Sequence, residues 1–149
     1  MSAREELTAK IQSIKRTKGL SWKQMAGEIS TSSPIYVTAA LHGQMTLTKE
    51  EAAKAASLLG LTAEEQVLLT EPPFRGSLPS LPPTDPLIYR FYELVQVYGT
   101  TWKALIEEEF GDGIMSAIDF DMQMERQPDP KGDRVKIGMS GKFLSYRRY

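Results

Sequence analysis

Three helix-start signatures recur in the first half of the chain: Ser21 with Gln24, Thr48 with Glu51, and Thr62 with Glu65. In each, a hydroxyl at the N-cap can accept from the backbone N–H three residues on, while the Glu or Gln there reaches back to the N-cap N–H. Each precedes apolar residues: Met25, Ala26 and Ile29, then the alanine-rich run Ala52–Leu59, then Val67–Leu69. Leu7, Ile11 and Ile14 keep helical spacing ahead of Gly19, and Pro34 suits the first turn of a helix running toward Leu41, with Gly43 behind it. Residues 1–71 therefore read as an all-helical bundle.

Its second and third helices, joined by the turn Thr31-Ser32-Ser33, form a helix-turn-helix pattern. A DNA reader of that kind needs cations for phosphates and Arg, Lys, Asn or Gln for base edges. Ser30 to Leu47 contains neither lysine nor arginine, so a structural role is expected, without nucleic acid. The lone histidine, His42, follows a helix end, where imidazoles commonly bond the last carbonyls.

The prolines of Glu71–Thr84 exclude a regular helix or a central strand. Residues 72–84 are expected to form an ordered, extended connection, because Phe74, Leu78 and Leu81 would gain from packing. The remainder, 85–149, opens with Asp85 as N-cap and Pro86 in the first turn. Gly99 is read as the stop of this short helix, and Thr100-Thr101 as the start of another that ends at Gly111. Leu87, Phe91, Leu94 and Tyr98 share a face that should be packed. Arg90 and Glu93 share another, which sets a guanidinium beside a carboxylate; by itself such a pair is an ordinary solvated one. From Ile118 to Met124 apolar and polar residues alternate in strand fashion, and Val135, Ile137 and Met139 alternate again beyond a turn at Pro128–Asp133. So small a sheet needs cover, and a partner subunit is expected to supply it. The fold class is mainly α with a small C-terminal α+β part.

Composition narrows the chemistry. With no cysteine and a single histidine, thiolate catalysis, a cysteine or histidine-rich metal site, and a Ser-His-Asp triad within one chain are all hard to build. A formal net charge of -1 provides no general cationic field for nucleic acid or an anionic membrane, so any anion site is local. The charged N-terminal segment does not look like a secretory signal, and no stretch approaches the ~20 apolar residues of a membrane span. The cytosol is the expected compartment.

The run Asp85–Gly99, then Lys103-Ala104-Leu105 and Phe110–Phe120, closely resembles the cyanase family, also called cyanate hydratases or cyanate lyases. The resemblance extends to Val37–Leu41, Pro73–Gly76 and Pro83–Pro86. It implies a cytosolic enzyme that converts cyanate and bicarbonate through carbamate to ammonia and carbon dioxide, with bicarbonate as co-substrate and no metal or organic cofactor. It also implies a repressor-like N-terminal bundle without DNA function, an interlocking C-terminal dimerisation domain, and a homodecamer of five dimers with active sites between subunits. The family's catalytic arginine, glutamate and serine fall on Arg90, Glu93 and Ser116. Two positions depart from the family pattern: Asp119 stands where asparagine is common, and Ser145 where proline is common.

Those residue types suit two small anionic reactants, which need fixed positive charge and oriented donors more than a deep apolar pocket. Without the resemblance, Ser116 reads as a turn residue after Gly111 and Gly113. A helix-turn-helix regulator and a noncatalytic oligomeric scaffold are the competing readings of the chain. A gel shift at varied salt tests the first, and bicarbonate-dependent cyanate consumption tests the second.

Overall fold

The computed structural model describes all 149 residues. Six helices precede one hairpin: α1 (Ala3–Lys18), α2 (Trp22–Ile29), α3 (Pro34–Leu41), α4 (Lys49–Leu59), α5 (Ala63–Leu68), α6 (Pro86–Phe110), then strands β1 (Gly113–Gln127) and β2 (Arg134–Ser145). The strands pair in a single two-stranded sheet. The chain divides into two compact units, Met1–Ser77 with Gln123–Lys136, and Leu78–Met122 with Ile137–Tyr149.

The capping boxes at Ser21, Thr48 and Thr62 all close in both directions, and a fourth, Ser2 with Glu5, starts α1. Gly19 and Gly60 take the left-handed conformation that ends α1 and α4. Around these helices lies the core of the first unit, in which Ile11, Met25, Ile29, Val37, Leu41 and Leu69 are the largest fully buried side chains. Each contributes roughly 1.5–3 kcal/mol by leaving water. Ala52, Ala55 and Ala56 are buried along α4, where small side chains let helices approach closely. Trp22 lies 4.5 Å from the His42 ring, whose Nδ1 sits 2.8 Å from the Thr38 carbonyl.

Arg4 ties this unit together. Its guanidinium donates to the carbonyls of Ala40 (3.0 Å), Met45 (3.0 Å) and Leu68. These acceptors lie near the ends of α3 and α5 and in the loop after α3. The carbonyls of Ala40 and Leu68 also accept from the backbone N–H groups of Gly43 (3.0 Å) and Glu71 (3.4 Å), and the half-buried fork adds a charged donor to each of the three acceptors. Burial lowers the pKa of Arg4, opposed by the charge of Glu71.

From the proline-rich connection onward the structure differs from the sequence reading in three ways. Gly99 does not stop the helix: α6 runs unbroken for 25 residues, and Gly99 is absent from the glycines with positive φ. A glycine costs a helix about 1 kcal/mol relative to alanine but ends it only where the chain actually turns left-handed. The apolar face of α6 is not packed within the chain either. No α6 residue is buried, and Leu87 is 70% exposed. Phe74, Leu78 and Leu81, expected to pack along the proline-rich connection, are exposed as well. After Ser77, only Pro83 and Ser116 are buried.

Candidate functional site

Arg90 and Glu93 stand one turn apart on α6, with Arg90 Nη1 3.9 Å from Glu93 Oε1. The Arg90 Nε also donates to the Pro86 carbonyl at 3.2 Å, and its guanidinium carbon lies 5.3 Å from the centre of the Tyr89 ring. Thus the helix that opens at Asp85 offers the guanidinium three contacts from its own first turns while leaving it open to water. The side chains are 60% and 47% exposed. At that exposure the ion pair adds little to stability. Its consequence is orientation.

Ser116 is the opposite case, only 4% exposed although almost everything around it in the sequence is in solvent. Its Oγ accepts from the backbone N–H groups of Ile118 (3.0 Å) and Asp119 (2.9 Å). Serine often folds back this way on residues just ahead of it. Both lone pairs are then engaged, which leaves the hydroxyl proton as the group's free valence. The turn-like role that Ser116 has without the family resemblance is therefore present, and it fixes the hydroxyl as a donor. Reading residue types alone does not reveal the part played by the Ile118 and Asp119 amides, because a backbone donor has no sequence signature.

Within one copy of the chain, no hydrogen bond or ion pair joins Ser116 to Arg90 or Glu93. A cavity of about 360 Å³ beside the hairpin is lined by Asp119, Phe120, Asp121, Ser140, Gly141 and Lys142, and includes none of the three. A larger one of about 930 Å³ lies in the first unit, among Arg4, Thr8, Gln12, His42, Gln44 and Arg75. No group of three or more Asp, Glu or His side chains is gathered so as to hold a metal. No helix is long and apolar enough to cross a membrane.

Two family models divide the chain between them. Residues 4–73 match the N-terminal part of cyanate hydratase, and residues 80–148 match the cyanate lyase C-terminal domain. A helix-rich chain built from those two parts is a lyase. The cyanate hydratase of Ralstonia pickettii is 61% identical over 98% of this chain and 99% of that protein. That of Albidiferax ferrireducens is 59% identical over the same shares. The crystal structure of cyanase from T. urticae superposes with a TM-score of 0.79 at 38% identity, covering 93% of this chain and 96% of that one. This chain belongs to the cyanate hydratase, or cyanase, family.

Proposed function

We propose that this chain catalyses the bicarbonate-dependent decomposition of cyanate, through carbamate, to ammonia and carbon dioxide. Its sites would form where subunits meet, with Arg90, Glu93 and Ser116 as the catalytic residues. The observation that carries this reading is the bareness of α6: the helix presenting the Arg90–Glu93 pair buries none of its residues within its own chain. An uncovered apolar face of this extent marks an interface. A cation and a carboxylate lying within it would be pooled with groups from neighbouring copies.

A bicarbonate oxygen attacks the cyanate carbon, and the bicarbonate proton passes to nitrogen, giving a mixed anhydride that carries two negative charges. With uptake of a proton, the bond between the transferred oxygen and the bicarbonate carbon breaks, releasing carbon dioxide and carbamate. A second proton lets carbamate split into ammonia and another carbon dioxide. The enzyme's task is to hold two like-charged reactants together, which orientation and charge neutralisation achieve. Arg90 supplies a permanent, planar charge. Glu93 holds that fork in place, since a free carboxylate facing two anions would oppose binding. Ser116 contributes its free O–H as a donor to substrate oxygen. With both lone pairs engaged and no histidine in its motif, it is a binder and not a nucleophile.

The reaction takes bicarbonate as co-substrate and uses no metal or organic cofactor, in keeping with a chain that lacks cysteine and has one histidine. The assembly would be a decamer of five interlocking dimers in the cytosol. The repressor-like order of its N-terminal helices would serve structure and not DNA, since α3 and its flanks, Ser30 to Leu47, carry no lysine or arginine. The test is ammonia release from cyanate in buffer stripped of carbon dioxide, with and without added bicarbonate. Release only when bicarbonate is added supports the assignment, and equal rates in both defeat it.

A further inference from the structure

Strand β2 passes the Ser116 fold-back at Gly141. A Cβ built there would stand 2.3 Å from the Ser116 carbonyl oxygen, 2.6 Å from Met115 Cγ and 3.3 Å from Phe120 Cδ2. Gly141 is not among the glycines with positive φ, so its conformation does not demand glycine; the space does. Glycine inside a strand often marks such a close backbone approach. What the added methyl would strike first is the backbone of residue 116, which cannot rotate aside as a side chain can.

The peptide it would displace carries the Cα from which the hydroxyl projects. Two restraints therefore converge on that hydroxyl: the Ile118 and Asp119 amides hold its oxygen, and β2 closes on its backbone. The geometry points to Gly141 as a positioning residue for Ser116, one that lets the neighbouring strand seat the donor at a fixed height. This inference rests on the reading that Ser116 donates to the substrate anions. The same hairpin holds two internal comparisons. At Gly113 a Cβ would meet the Leu144 carbonyl oxygen at 2.2 Å and Phe143 Cζ at 2.6 Å, a collision of equal severity that does not involve Ser116. At Gly138 it would meet nothing within 4 Å.

The experiment compares full-length Gly141→Ala, Gly113→Ala, Gly138→Ala and Ser116→Ala. It measures ammonia release with both substrates varied, particle size by light scattering, and hydrogen exchange of the segment containing Ile118 and Asp119. Gly138→Ala should match the parent. Gly113→Ala should melt earlier yet turn over within a few-fold of the parent per assembled subunit. Gly141→Ala should lose about 100-fold in kcat/KM in assembled protein, the scale of a misplacement approaching 1 Å, and should exchange faster at Ile118–Asp119. If Gly141→Ala does not assemble, Met115→Ala/Gly141→Ala, which removes one of the struck atoms, is measured by the same criteria. Parent-like turnover at position 141, or equal losses at 141 and 113, overturns the positioning role. Full activity in Ser116→Ala instead overturns the underlying site, whatever residue 141 does.

Discussion

Replacing Arg4 by methionine keeps most of the aliphatic stem and removes the donors to the carbonyls of Ala40, Met45 and Leu68. A hydrogen bond from a charged group is worth roughly 1.5–3 kcal/mol net. The three cannot simply be summed, because the Ala40 and Leu68 carbonyls keep backbone donors from Gly43 and Glu71, and Arg4 is only half-buried, so water can reach part of the vacated site. We therefore expect a loss of about 2–4 kcal/mol, dominated by the carbonyls that stay dry. For a unit of this size, each kcal/mol moves the melting temperature by about 4–8 °C, so the midpoint should fall by about 10 °C or more. Trp22, packed on His42, reports on the first unit once Trp102 is replaced by phenylalanine. Thermal unfolding of the full chain, followed by that fluorescence, is the assay. Arg4→Lys should lie between parent and Arg4→Met, because an ammonium reaches fewer carbonyls than a planar fork. A shift under 3 °C for Arg4→Met would refute the idea that one side chain gathers these helix ends.

Arg90→Ala and Glu93→Ala should each lose most ammonia release while light scattering shows an unchanged particle; near-normal turnover in the Arg90 variant would defeat the proposed site. Gly99→Ala should stabilise α6 by up to about 1 kcal/mol, since the new methyl meets only Val95 Cγ1 at 3.8 Å, and a lower melting temperature would contradict a continuous helix. The carboxylates of three capping boxes have lowered pKa values. For Glu51, burial pushes the other way but is outweighed by bonds from Ser30 and Thr48; for Glu65 the bond from Lys10 leads; for Glu5 it is the Ser2 backbone N–H. Groups depressed in the folded state stabilise it fully above their ordinary value near 4.5 and lose that contribution as pH falls through the lowered values. The first unit should therefore melt progressively earlier below about pH 4.5, and a flat profile from there down to pH 3 would contradict the capping bonds.

Local rules carried the reading of the first unit because its determinants are local. A hydroxyl and a Glu or Gln three residues on announce α2, α4 and α5, and the same pattern at Ser2 and Glu5 was there to be read. Arg4 was invisible for the converse reason: its acceptors lie 36, 41 and 64 residues away, and carbonyls have no sequence signature. Gly99 misled because residue type permits a left-handed turn without imposing one. At the candidate site, the adjacency of Arg90 and Glu93 follows from helical spacing. The burial of Ser116 and its pinned hydroxyl depend on strand pairing and a fold-back that alternation cannot disclose.

The distribution of the core has a consequence for handling the protein. Every buried hydrophobic side chain of the core lies between Leu7 and Leu69, so the half bearing Arg90, Glu93 and Ser116 has almost no interior of its own. In the proposed assembly, with its sites formed between subunits, dilution that separates those subunits would leave the bundle folded and the chemistry lost. Specific activity would then track protein concentration long before any change in helix content, and a freshly diluted sample would fade without unfolding.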